Sequence, residues 1–205
     1  MLAGTACSGD AQEVAEDRLC SIDSGSAEDK LLRQVIRADS YRTQVDHTDS
    51  GFVERMQEEL RTYPGAEATN PVRQCGYVPK GAVEGQASVQ FDWAPAADAK
   101  KGAGVIEGTR TYDLNGATGR SHDVSTDLYV QCDMPDELSG ASKKALLHAN
   151  ASFTVNLGNV KDHGTQDQQM SFVYQMARRA AEVLGCTNNP LAKDPVVKPL
   201  TESTP

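Results

Sequence analysis

From Leu147 to Leu157 apolar and polar residues alternate without a break. Leu147, Ala149, Ala151, Phe153, Val155 and Leu157 take one side, and His148, Asn150, Ser152, Thr154 and Asn156 the other. Successive side chains of a strand point to opposite faces, so this run predicts a strand with an apolar face and a wholly polar one. Val124, Thr126, Leu128, Val130 and Cys132 alternate in the same way with Ser125, Asp127, Tyr129 and Gln131. Ala87, Val89, Phe91 and Trp93 do so with Ser88, Gln90 and Asp92, until Pro95 ends the run. Val72–Val78 reads as a shorter strand, and Val105–Leu114 as a more polar one nearer a sheet edge.

Three stretches change period from 2 to 3.6. Ser26 is an N-cap for a helix over 27–38, with Leu31, Leu32, Val35 and Ile36 on one face. Phe52, Val53, Met56 and Leu60 predict a second helix over 51–62, stopped by Pro64-Gly65. Thr165 and Gln168 form a capping box for a third, which runs to Leu184 with Gly185 as its C-terminal cap. The segment 96–104 reads as a mobile hairpin loop or insertion. Asn115-Gly116 is a turn signal, but Gly119 and the polar run to Asp123 predict a loop longer than a two-residue hairpin. The expected fold is α+β: an antiparallel sheet of about five strands with helices packed on one face. Residues 1–19 read as a flexible tether, 20–190 as a single domain and 191–205 as a Pro-rich disordered tail.

Charge narrows the partners. Twenty Lys and Arg against twenty-nine Asp and Glu give a net charge of −9. Nucleic acid needs a basic face and is excluded as a partner. Of the five cysteines, Cys20, Cys75, Cys132 and Cys186 are widely spaced, with no C-x-x-C pair and no histidine at metal-ligand spacing, which excludes a zinc reading. Four such cysteines suit two disulfides in an oxidising compartment. Three pairings exist; Cys20–Cys75 with Cys132–Cys186 is favoured because each closes one half of the chain. Such loops are worth roughly 4 kcal/mol each in the chain-entropy picture. Four reduced, buried cysteines in a cytosolic protein is the other reading.

Catalytic motifs are absent from the sequence. The chain has no G-x-S-x-G, no S-x-x-K and no H-E-x-x-H. Asp46 to Gly51 faintly resembles a calcium loop, but Gln57 stands where the twelfth-position glutamate belongs. His122-Asp123 is a weak candidate for a base. No catalytic residue, metal or cofactor is expected. The candidate ligand surface is the polar strand face carrying Tyr129, Gln131, His148, Asn150, Ser152 and Thr154: hydrogen-bonding groups with little charge, or simply a solvated sheet.

The fifth cysteine, Cys7, follows the small-residue run Gly4-Thr5-Ala6 and precedes Ser8-Gly9-Asp10. This resembles the end of a bacterial lipoprotein signal, where the cysteine is acylated, although Gly4 stands where an aliphatic residue, Ala or Ser is usual. With Leu19-Cys20 ahead of the first helix, Cys132 ending a strand and Leu184-Gly185-Cys186 ending the last helix, the layout over 7–190 resembles the small secreted lipoproteins of actinobacteria. The resemblance implies attachment to the outer face of a cell membrane through a lipid anchor on Cys7. It transfers no ligand and no catalytic residue. Two functions follow: a lipid-anchored extracytoplasmic binding or interaction domain without catalysis, for a protein or small-molecule partner; or a secreted hydrolase with a site assembled from scattered His and Asp residues.

Overall fold

The computed structural model describes residues 18–81, 86–100, 108–154, 165–197 and 199–200. Cys7, the start of the expected 105–114 strand and the end of the 147–157 strand lie outside the described residues. The elements run α1 (Ala27–Ile36), β1 (Tyr41–Val45), α2 (Asp49–Arg61), β2 (Val72–Pro79), β3 (Gln86–Pro95), α3 (Ala96–Lys100), β4 (Arg110–Leu114), β5 (Ala117–His122), β6 (Ser125–Val130), a 3-10 turn with the short α4 (Ser139–Ser142), β7 (Ala145–Thr154) and α5 (Gln166–Leu184). The class is α+β. The strands form one antiparallel sheet of seven, in the order β1-β2-β3-β7-β6-β5-β4, where about five were expected.

The two additional strands carry no apolar alternation. In β1 every residue is exposed or half-exposed, because it forms a sheet edge against β2. In β5 the inward positions are Ala117, Gly119 and Ser121, too small or too polar to register as apolar. Asn115-Gly116 is a two-residue hairpin after all: Leu114 pairs with Ala117, and both turn residues have positive φ, 56° and 92°. That is the type I′ turn, whose twist matches the strands it joins.

One face of the sheet is the core. Trp93, Phe91, Val89, Leu147, Ala149, Ala151, Leu128 and Tyr112 are buried there. Helix α2 covers the β2–β3 half, with Phe52 edge-on to Phe91 at 5.3 Å and the Trp93 indole donating to the Met56 carbonyl at 2.8 Å. Helix α5 covers β5, β6 and β7, capped at Thr165 by the expected box. Helix α1 lies against α5. A buried polar knot fixes α5 over the sheet: the Gln169 carbonyl oxygen accepts from Ser121 and Thr126, and its amide donates to the Asp123 carbonyl.

The cysteines pair as favoured, Cys20 with Cys75 and Cys132 with Cys186, with Cα atoms 5.5 and 5.1 Å apart. The first ties the segment before α1 to β2, and the second ties the end of α5 to the chain just after β6. Leu19, assigned to the tether, is instead fully buried, so the body of the domain begins at or before it. The tail expected to be disordered from residue 191 also needs correction in its described part. Leu191 is buried in the core, Tyr174 donates to the Lys193 carbonyl, and the Leu200 amide donates to Thr111 on the edge of β4. The prolines exclude helix and central strand but not an extended segment laid against the body.

Candidate functional site

The second face of the sheet carries the candidate site. Antiparallel register sets its side chains in rows across the strands. Asp92 of β3 pairs with His148 of β7, which pairs with Tyr129 of β6. One row down, Gln90 pairs with Asn150, Asn150 with Asp127, and Asp127 with Arg120 of β5. Below that come Ser88, Ser152, Ser125 and His122.

His148 is the hub. Its Nδ1 lies 2.8 Å from Asp92 Oδ1 and its Nε2 lies 2.9 Å from Asp127 Oδ1. Its ring stacks on Tyr129 at 4.3 Å between centroids and 7° between planes. Asn150 donates to the same Asp127 oxygen at 2.8 Å, and Gln90 donates to Asn150 at 3.4 Å. Arg120 places its guanidinium 5.5 Å from the Tyr129 ring centre, a cation over an aromatic face. The side chain of His148 is 14% exposed and that of Asp92 7%.

Two carboxylates on one imidazole settle its charge. Burial works against the ion, but the hydrogen bonds and charges of Asp127 and Asp92 outweigh it and lift the His148 pKa from 6.5 to about 9. The ring is therefore an imidazolium at neutral pH, donating from both nitrogens. Burial alone would raise Asp127, yet the bonds from His148 and Asn150 and the charge of Arg120 bring it below the ordinary carboxylate range. Tyr129 is pushed up to about 12, first by burial and then by the Asp127 charge. An imidazolium with both protons committed offers no lone pair to a substrate, and general-base chemistry from it would require one carboxylate to let go.

The structure brings together Tyr129, His148, Asn150 and Ser152 of the expected face. It takes Gln131 away: that amide donates to Asp133 and to the Ser142 carbonyl, bracing the end of β6. Thr154 is the last residue of β7, with its backbone in register with Gln86. The expectation of little charge is wrong, because Asp92, Asp127, His148 and Arg120 make this an ion cluster. Asp92 and Asp127 were already readable as outward positions of alternating strands. Joining them to His148 required knowing that β7 lies between β3 and β6, which no local pattern encodes. Arg120 was hidden with its strand.

The remaining candidates resolve into structure. Thr48 caps α2 through the Gly51 amide, Asp49 accepts from the amides of Arg18 and Leu19, and Asp46 pairs with Arg73. The resemblance to a calcium loop is therefore a helix cap. His122 lies at the end of β5, and the Asp123 carbonyl serves Gln169. Among the described residues no group of three His, Cys, Asp or Glu side chains is placed to hold a metal, and no helix is long and apolar enough to cross a membrane. A cleft of about 750 Å³ lined by Arg18, Arg178 and Arg179 also carries Asp23, Glu28 and Glu182. Its two helical arginines are already engaged, Arg179 by Glu28 and two backbone carbonyls and Arg178 by Asp194. Comparison of the chain with protein-family models, curated proteins and solved structures gives no match.

Proposed function

We propose that this is a non-enzymatic binding domain, displayed outside the cell membrane from a lipid on Cys7, that recognises its partner with the polar face of its sheet. The observation that carries the reading is the state of His148. Its two nitrogens and both flanking carboxylates satisfy one another, so the cluster is a preorganised array of fixed charge and hydrogen-bonding groups, not a poised base. Around it, Ser88, Gln90, Ser125 and Ser152 extend the polar array across three adjacent strands. The two disulfides support the oxidising compartment, and the small-residue lead to Cys7 supports the anchor.

Two measurements test this. Intact mass of the protein extracted from native membranes is expected to show acyl chains on Cys7; an unmodified thiol removes the anchor. For the surface, Ser88→Arg and Ser152→Arg place bulk on the polar face without touching the core. A partner from cell-envelope extract retained by the wild-type protein is expected to be lost on this double variant. Equal recovery would show that the polar face is not the surface used.

The Asp92–His148 contact also favours a second reading, a secreted hydrolase, since a carboxylate orienting an imidazole is two-thirds of a catalytic triad. In that reading Asp127 occupies the nitrogen that a nucleophile needs. Ester or amide hydrolysis abolished by His148→Ala would establish it.

A further inference from the structure

We propose that the outer edge of β4 is a strand-addition site for an extended segment of a partner polypeptide, and that the chain's own C-terminal segment is seated on it in cis. The site is separate from the polar face and does not rest on the reading of that face.

Register shows how the edge is built. Leu114 and Ala117 flank the two-residue turn and pair across it, so their amide and carbonyl groups bond each other. Bonding alternates along an antiparallel pair. Tyr112 and Arg110 therefore also turn their main-chain groups to β5, while Thr111 and Asp113 turn theirs outward. In the sheet order β4 is an end strand, and such an edge is a template for another strand. The chain already uses the template. Pro199 forms an antiparallel bridge with Tyr112, and the Leu200 amide donates to the outward Thr111 carbonyl at 2.8 Å. Proline suits its place. Successive amides of an extended chain point to opposite sides, so with Leu200 directed at β4 the position before it is directed away. A missing N–H there costs no bond to the edge.

The seated residues show what the edge reads. Pro199 is exposed and Leu200 is 54% exposed, so their side chains contribute little and the main chain supplies the contact. In strand addition, backbone bonds give affinity and side-chain pockets give selectivity. The partner that fits is therefore an extended peptide with an N–H directed at the Thr111 carbonyl, tolerant of proline one residue earlier. An antiparallel chain leaving Leu200 runs toward Arg110. A cleft of about 880 Å³, lined by Arg110, Thr111, Asp123 and Gln166 with Pro199 and Leu200, continues the seat in that direction. Anchors upstream deliver the cis segment: Leu191 is buried in the core, and the Lys193 carbonyl accepts from Tyr174. So short a tether gives the cis segment a millimolar effective concentration, which a partner has to overcome.

The test titrates the full chain, both disulfides intact, with an end-blocked synthetic peptide of the chain's own sequence Val-Lys-Pro-Leu-Thr-Glu, read by the NMR amide signals of β4. Leu200→Pro takes the donor from the cis segment at a position outside the seven strands. In that variant the peptide is expected to move the outward amides of Thr111 and Asp113 more than the inward ones of Tyr112 and Leu114. Half-saturation is expected at a concentration roughly tenfold below that of the wild type, where the cis segment competes. A peptide N-methylated at its leucine has no N–H for the Thr111 carbonyl and is expected to bind roughly tenfold more weakly. Unmoved β4 amides in both proteins would overturn the proposal. So would equal binding of the N-methylated peptide, or equal half-saturation of wild type and variant, because the cis segment would not then hold the same seat. Dimers of Leu200→Pro in sedimentation, with no response to peptide, would give the edge to a second copy instead. If the variant does not fold, the two peptides compared on the wild-type chain decide. The envelope experiment on the polar face leaves this result unaffected in either outcome.

Discussion

Replacing His148 by glutamine tests the ion cluster through its pH dependence. Each tenfold change in proton affinity is about 1.36 kcal/mol, so a ring lifted from 6.5 to about 9 stabilises the folded state by about 3 kcal/mol. The side chain is only 14% exposed, so solvent screening takes little from that figure. The sign follows from linkage. Below pH 6.5 the ring is charged both folded and unfolded, and its contribution is fully present. Between 6.5 and 9 the unfolded ring loses its proton first, and the contribution falls. Above 9 it is gone. Urea unfolding of the wild-type and His148→Gln proteins, at steps from pH 6 to pH 10, isolates this residue, because other titrations are common to both. The wild-type advantage is expected to shrink by about 3 kcal/mol across that range, equivalent to roughly 6–12 °C in Tm for a chain of this size. The His148 ring signals in NMR are expected to titrate with a midpoint near 9. A constant difference between the two proteins, or a midpoint at or below 6.5, would show that the two carboxylates do not hold the ring as an ion.

Three further expectations follow from the packing. Gln169→Leu takes the acceptor from the Ser121 and Thr126 hydroxyls, which keep only their 2.7 Å contact with each other, and the donor from the Asp123 carbonyl, at a site 1% exposed, and is expected to cost about 1–3 kcal/mol in urea unfolding. Gly116→Ala, at φ 92° with open space around it, strains only the backbone; a loss of about 1 kcal/mol with unchanged circular dichroism is expected. Cys132→Ser together with Cys186→Ser removes the second bridge and is expected to cost about 2–5 kcal/mol by thermal unfolding. Peptide mapping without reductant checks the pairing of Cys20 with Cys75.

What could be read along the chain is what repeats locally. The β3, β6 and β7 alternations place Phe91, Leu128 and Leu147 in the core and His148 and Tyr129 on the opposite face, and the structure agrees. Thr165 and Gln168 announce the start of α5 because a capping box is complete within four residues. β5 escapes for a physical reason. A Cβ on Gly119 would lie 2.5 Å from the Met170 methyl, so the strand is small where the Met170 side chain of α5 lies on it, and small residues leave no apolar signature. β1 escapes because an edge strand needs no apolar face. The site was half legible for a related reason. The polar residues of one strand are visible in order, but the acids that charge His148 come from strands 56 and 21 residues away, and the sheet order decides which of them meet.

The two bridges also determine how the molecule behaves as a mechanical object. Tension applied at Arg18 and at Thr187 enters through Cys20 and Cys186, and each sulfur passes it at once to Cys75 and Cys132. Helices α1, α2 and α5, with β1 and β7, sit inside closed loops and are bypassed. Only the span from Cys75 to Cys132 can pay out under load, roughly 200 Å at full extension. Reduction would hand the remaining length to the pulling force, so the same body would extend much further with its thiols free than with both bridges closed.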